Sequence, residues 1–275
     1  MRYSFVLGLM LATAGCGSPR PAEAPEAKPA ELTFDGAGAA ENAALVKHGK
    51  RVAAVLACTG CHGDDLQGSN VTKDDPEFGD MNAPNLTLLL AGYSDAELGR
   101  VIRQGVPKDG REFWFMPSEA YQFLSEADLA ALIAHLRTVK PGGKPMPPIR
   151  KGPKFEQEVA SGKFANAADT IRRFAAKPPV DLGEGHAFGR RVAQVACSGC
   201  HNSELQGYEG FSPNLDIAGA YDAAELETLL TTGKGKSKPD LGLMTIMGRD
   251  HFVQFTPRER AAVIAYVKAR ADRPQ

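Results

Sequence analysis

The strongest constraint on the fold of this 275-residue chain is an internal repeat. The segments GKRVA, CTGCH and LQG follow one another within residues 49–68, and GRRVA, CSGCH and LQG do so within residues 189–207. Pro-Asn-Leu then recurs at 84–86 and 213–215, followed by YSDAEL in one copy and YDAAEL in the other. Landmarks that recur in one order indicate a tandem duplication, and two copies are too few for a solenoid. We therefore expect two domains, each with its own core.

The repeat also sets the expected domain boundaries. The first domain is predicted at 41–140 and the second at 181–275, and the first copy is longer by about ten residues after its CTGCH segment. Between them, residues 141–180 form a linker rich in Pro and Lys, with one helix predicted from about Phe155 to Ala176. The chain has 32 basic and 33 acidic residues, so its net charge of −1 argues against nucleic acid as a partner.

Both domains are predicted to be all-α, since apolar residues recur at helical spacing and no alternating strand pattern is present. Ser94 and Asp222 each stand three residues before a Glu, which is the N-terminal signature of a helix. The last helix of each copy begins with a similar pair, Ser125 with Asp128 in the first copy and Thr256 with Glu259 in the second. Pro257 then occupies the first helical position, where proline is favoured.

Each copy carries one Cys-x-x-Cys-His motif. Side chains three residues apart project from the same side of a helical turn, so two thiols can form thioethers to the two vinyl groups of one haem. The adjacent imidazole then reaches the iron, which is the pattern of c-type haem attachment. We therefore expect two covalently bound haem c groups, with cysteines holding the porphyrins and histidines ligating iron. The residues are Cys58, Cys61 and His62 in the first copy and Cys197, Cys200 and His201 in the second.

Two other interpretations of these cysteines are weaker. A thioredoxin-like Cys-x-x-Cys needs no following histidine and is expected within a βαβ unit. A zinc ribbon needs its second cysteine pair about 15–20 residues after the first, whereas Cys61 and Cys197 are 136 residues apart.

A methionine precedes the last helix of each copy and is the expected second axial ligand of each iron. These residues are Met116 and Met247, although Met244 is an alternative in the second copy. A lone methionine more often fills a core, but the equivalent positions of Met116 and Met247 favour ligation, which raises the reduction potential. We also expect the carbonyl groups of Pro84 and Pro213 to accept hydrogen bonds from Nδ1 of the ligating histidines.

The N-terminus is predicted to direct export. Residues 1–15 combine an early arginine with a short apolar stretch, which is typical of a signal peptide. Cys16 then stands where a bacterial lipoprotein carries its lipid, and residues 16–40, rich in Pro, Ala and Glu, are predicted to form a tether. We expect a protein anchored to a bacterial membrane on its periplasmic side, where haem is attached covalently. The alternative is a plain secretory signal cleaved near this point.

These motifs resemble the class I, mitochondrial-type cytochromes c. The resemblance rests on a haem-attachment motif early in each domain, Pro-Asn-Leu in the middle, and Met before the last helix. Copy one is most similar to the haem domains of cytochrome subunits from bacterial alcohol and gluconate dehydrogenases, in APNLT at 83–87, GVPKDGR at 105–111, FMP at 115–117 and LSEADL at 124–129. The resemblance implies small helical domains and a role in electron transfer.

The leading functional hypothesis is a dihaem electron carrier that serves a donor and an acceptor protein such as a dehydrogenase, an oxidase or another cytochrome. With both irons saturated by His and Met, no catalytic residue is expected. One alternative is a peroxidase-like dihaem enzyme in which one iron lacks a firm Met ligand, and another is a redox sensor or docking subunit. Lys234, Lys236 and Lys238 are predicted to steer an acidic partner toward the second haem.

Overall fold

A computed structural model describes residues 31–273, and helices form nearly all of its regular structure. The expected signal peptide (1–15), Cys16 and the tether up to residue 30 lie outside the described residues. In copy one the helices are α1 (Asn42–Val55), α2 (Cys58–His62), α3 (Leu86–Leu89), α4 (Asp95–Gln104), α5 (Ser118–Tyr121) and α6 (Glu126–Leu136). The linker contains α7 (Pro153–Ala160) and α8 (Ala167–Ala176). Copy two contains α9 (Ala187–Ala196), α10 (Ser198–His201), α11 (Ala223–Thr232), α12 (Leu243–Ile246) and α13 (Pro257–Asp272).

Short 3-10 turns and one π-helical turn complete the helical structure. The 3-10 turns are Leu90–Gly92, Glu184–His186, Leu215–Ala220 and Phe252–Gln254, and the π-helical turn is Met247–His251. Between residues 31 and 273, no helix is both long and apolar enough to cross a bilayer.

The predicted helix caps are confirmed. Ser94, Asp222 and Thr256 each accept a hydrogen bond from the backbone of the Glu three residues later, and each Glu side chain accepts one from the backbone of its cap. Ser125 accepts from the backbone N–H of Asp128. These bonds satisfy N–H groups that a helix leaves unpaired at its start.

A close crossing of the first and last helices organises each copy. A Cβ atom at Gly49 in α1 would lie 1.8 Å from the carbonyl oxygen of Ala131 in α6. At the equivalent Gly189 in α9, it would lie 2.1 Å from the carbonyl oxygen of Ala262 in α13. Any other residue would therefore push the helices apart, so the repeated glycine is required by packing.

The linker packs along the first copy rather than spanning open space. Two-residue strands join it to the insertion of copy one, where β2 (Gly79–Asp80) pairs antiparallel with β4 (Arg150–Lys151). A second antiparallel pair, β1 (Ser69–Asn70) with β3 (Asn82–Ala83), lies within the insertion. Strands this short show no alternating pattern in sequence, which is why none was predicted.

The prediction of one linker helix is wrong. The chain forms α7 and α8 instead, because Gly162 adopts a left-handed conformation (φ 77°) after the first and Asn166 caps the second. Phe155 of α7 is buried between Trp114 and Phe78, with ring centroids 5.1 and 5.6 Å away, respectively. This aromatic cluster fixes the linker on the first domain.

The two copies pack together through equivalent residues. Arg51 donates to the carbonyl of Gln254 at 3.2 Å, and its counterpart Arg191 donates to the carbonyl of Phe123 at 3.0 Å. Arg51 also forms a two-pronged ion pair with Glu259 of the other copy, at 2.7 and 2.9 Å. Reciprocal contacts between equivalent positions indicate a two-fold relation between the copies.

The chain before α1 contributes to the same interface. The backbone N–H of Phe34 donates to Asp128 at 3.0 Å, and that of Asp35 donates to Glu259 at 2.8 Å. Phe34 itself is buried. Phe34 and Asp35, which lie within the expected tether (16–40), therefore bind near the start of the last helix in both copies.

Candidate functional site

Each Cys-x-x-Cys-His motif forms one helical turn that ends on its histidine. His62 and His201 are both buried, and each lies 2.9 Å through Nδ1 from a proline carbonyl, that of Pro84 or Pro213. This confirms the predicted proline contacts. With Nδ1 donating, the lone pair of a neutral ring lies on Nε2, so the structure fixes the tautomer needed for metal ligation.

In each copy, an equivalent loop supports the attachment turn. The N–H of Gly68 donates to the carbonyl of His62 at 2.7 Å, and that of Gly207 donates to the carbonyl of His201 at 2.8 Å. Within the repeated Leu-Gln-Gly segments, Leu66 and Leu205 have left-handed backbones (φ 59° and 61°), which is unusual for leucine. The repetition of this costly conformation indicates that both loops are held by their surroundings.

Burial sets the ionisation of these side chains. It raises the pKa of the Cys58 and Cys197 thiols to about 12. It also lowers the pKa values of His62 and His201, although the bonds to the proline carbonyls oppose this effect. Both imidazoles are therefore neutral at pH 7, as a metal ligand must be.

A cavity of about 550 Å³ adjoins the first motif. Cys58, Cys61, His62 and Met116 all line it, so the structure brings together every residue predicted for the first site. The rest of its wall is largely apolar, as in most cofactor sites. These remaining wall residues include Leu90, Leu98, Ile102, Leu132 and Leu136.

The linker supplies part of this wall, which sequence reasoning missed. Met146, Pro148 and Ile149 all line the cavity. Tyr121, also on the wall, is buried and donates to the carbonyl of Leu56 at 2.7 Å. A Pro-rich composition predicts a linker but carries no sign of where the linker packs.

The second site repeats the turn and its histidine contact. Met247 opens the π-helical turn, and Met244 lies in α12 immediately before it. Both side chains are partly buried against the hydrophobic core. Because one continuous helical segment carries both, the structure leaves the two methionines as alternatives for the second axial position.

Other candidate residues lie apart from these turns. Lys236 pairs with Glu225 at 2.9 Å, while Lys234 and Lys238 are exposed. His135 lies in the last turn of α6. His48 is buried and lies 2.7 Å from Asp128. In residues 31–273, no three His, Cys, Asp or Glu side chains converge as ligands for a bare metal ion.

Residues 46–140 and 187–271 match the cytochrome c family. Because these ranges cover more than half of the sequence, the chain belongs to the cytochrome c family, with two such domains in tandem. The expected fold class, all-α with tandem cytochrome c domains, is therefore confirmed.

Three curated proteins are similar to this chain. A nicotinate dehydrogenase subunit of Pseudomonas putida is 26% identical over 206 residues, covering 71% of this chain and 17% of that protein. The fructose dehydrogenase cytochrome subunit of Gluconobacter japonicus is 24% identical over 260 residues, covering 82% and 52%, respectively. Cytochrome c-551 of Bacillus subtilis is 38% identical over 48 residues, covering 17% and 41%. The chain thus spans about half the length of these relatives, or less.

The family implies covalently bound haem c, and the first site fits that group. Two thiols and a neutral imidazole meet at the wall of a largely apolar cavity whose volume lies in the range of cofactor sites. Cys58 and Cys61 carry no disulfide and are free to form thioethers. The second turn offers the same donors, since Cys197 and Cys200 are also free and His201 makes the same carbonyl contact.

Proposed function

We propose that this protein is a dihaem electron carrier. Cys58 and Cys61 would hold haem c in the first domain, and Cys197 and Cys200 would hold it in the second. His62 with Met116, and His201 with Met247, would ligate the two irons. Bound haem iron supplies reversible one-electron chemistry, and His/Met ligation gives it a raised potential suited to electron transfer.

The observation that carries this proposal is the presence of the same histidine contact in both copies. Nδ1 of each ring lies 2.9 Å from a proline carbonyl, which directs Nε2 away from that backbone. The carbonyl also increases the basicity of the ring and holds its orientation. Largely apolar residues line the cavity beside Met116, which suits a methionine sulfur and a porphyrin.

The relatives support a role beside a dehydrogenase. Two of them are named as parts of dehydrogenases, and one of these is a cytochrome subunit. We propose that this protein receives electrons from such an enzyme and passes them to another redox protein. Lys234 and Lys238 are exposed and would steer an acidic partner to the second domain. Export and a lipid on Cys16 would hold the carrier at the periplasmic face of a membrane.

A spectroscopic redox titration tests this function. Protein exported from a host competent in cytochrome maturation is expected to carry two haem masses and to titrate as two low-spin centres. Ligation of the ferric iron by a methionine sulfur adds a weak far-red absorption band, called the thioether band below. The bare polypeptide mass would overturn the proposal.

The same titration separates the alternative of a dihaem enzyme. A high-spin ferric signal from the second site would show an open iron, because neither Met244 nor Met247 would then ligate it. Parallel Met244→Leu and Met247→Leu variants identify the ligand, since only loss of the true ligand removes the thioether band of that site.

A further inference from the structure

The second haem-attachment turn packs directly against the first domain. Gly199 lies between Cys197 and Cys200, and a Cβ atom there would lie 3.2 Å from Cβ of Pro117 and 3.9 Å from Cβ of Ala120. Pro117 immediately follows Met116, the proposed axial ligand. One site's attachment turn therefore touches the segment that carries the other site's methionine.

The converse contact exists on the first turn. A Cβ atom at Gly60 would lie 3.9 Å from Nε2 of His251, which closes the π-helical turn opened by Met247. His251 is buried, and its Nδ1 donates to the carbonyl of Ala54 in α1 at 2.9 Å. The histidine thus ties the methionine segment of copy two to the helix that leads into the first attachment turn.

These two contacts are equivalent in the repeat. Gly60 and Gly199 hold the same place in the two motifs, and Ala120 and His251 each lie four residues after a proposed methionine ligand. Such reciprocity is the property of a two-fold interface, in which each partner presents the same surface.

We propose that this reciprocal contact is the relay between the two proposed haem sites, with Gly199 and His251 as its positioning residues. The inference rests on the proposed function. It adds that an electron crosses within one chain, where each attachment turn packs beside the methionine segment of the other copy. The exchange oxidises one site by one electron and reduces the other by one, so it needs no co-reactant.

Glycine at position 199 allows the second attachment turn to lie close to the first domain. A Cβ atom there would already lie 3.2 Å from Cβ of Pro117, so the γ atoms of a larger side chain would need further displacement. Gly199→Val should therefore push this turn away from Pro117 while leaving all cysteine and histidine donors in the chain. Gly185→Val is the matched control, because a Cβ atom at Gly185 in the same domain meets nothing within 4 Å.

A second pair of variants tests His251 without enlarging the contact. His251→Leu removes the bond to the Ala54 carbonyl, whereas His251→Asn keeps a donor near the position of Nδ1. We expect the asparagine variant to retain more of the wild-type behaviour. This pair preserves the test if Gly199→Val fails to fold.

The measurements are made on the full haem-loaded protein. Pulsed electron paramagnetic resonance reports the magnetic coupling between the two ferric centres, and rapid photoreduction reports the rate of transfer between them. We expect Gly199→Val and His251→Leu to weaken the coupling. We also expect both variants to slow electron transfer between the two sites, because the rate of electron tunnelling falls as the distance between the centres grows. Gly185→Val should change neither quantity.

Unchanged coupling and rate in a folded Gly199→Val and in His251→Leu would overturn the relay. The haem mass and absorption spectrum of the same samples separate this failure from that of the proposed function. Two low-spin centres with an unaffected rate reject the relay alone, whereas a missing haem or an open iron in the wild type rejects the electron-carrier proposal.

Discussion

Replacing Arg51 by Ala should destabilise the protein, because Glu259 would then remain buried without its counter-charge. The Arg51 side chain is 19% exposed and that of Glu259 is 0% exposed. Breaking a buried ion pair by removing one partner costs about 3–5 kcal/mol. Two backbone N–H groups, of Asp35 and Thr256, still donate to the carboxylate at 2.8 Å. We therefore expect a loss near the lower limit, about 3 kcal/mol.

Thermal unfolding of the haem-loaded protein measures this loss. For a unit of this size, about 3 kcal/mol corresponds to a fall in Tm of roughly 6–12 °C. Adding Glu259→Gln to the Arg51→Ala variant removes the uncompensated charge and should recover part of the stability. The control is Arg172→Ala, which breaks the exposed Arg172–Asp169 pair and should cost no more than about 0.5 kcal/mol. An equal fall in Tm for Arg51→Ala and Arg172→Ala would refute the reasoning.

Four further outcomes are expected. Burial raises the pKa of Glu119 from its ordinary 4.5 to about 7, so the folded state holds an extra proton between these values and its stability falls as pH rises through them. Measured by denaturant unfolding, the free energy of unfolding should therefore differ less between pH 5 and pH 7.5 in Glu119→Gln than in the wild type. Met116→Leu should remove the thioether band of the first site and lower its potential, as spectroscopic titration would show, while an unchanged band would assign the ligand elsewhere. Gly49→Val should prevent accumulation of folded protein, measured as soluble haem protein, because its Cβ atom would lie 1.8 Å from the Ala131 carbonyl oxygen. Charge reversal at Lys234 and Lys238 should change the salt dependence of transfer to an acidic redox partner, and an unaltered dependence would contradict steering.

Local sequence signals determined much of the fold and of each haem site. A Cys-x-x-Cys-His turn is encoded within five consecutive residues, and a cap such as Ser94 requires only its own helix. The repeated glycines at 49 and 189 also mark the helix crossings, because only glycine allows backbones to approach so closely. The duplication supports each of these interpretations, because an equivalent residue recurs at the matching position of the second copy and chance recurrence is improbable.

Only the tertiary structure decided how the linker and the two copies pack. Phe155 and Met146 lie far from the first haem motif in sequence, and nothing in a Pro- and Lys-rich segment specifies that Met146 lines its cavity or that Phe155 packs on Trp114. His251 likewise shows no sign of its role until its bond to the Ala54 carbonyl is seen. The physical reason is that such contacts depend on the shape of two surfaces formed by distant segments. Local propensity and spacing carry no information about which surfaces meet.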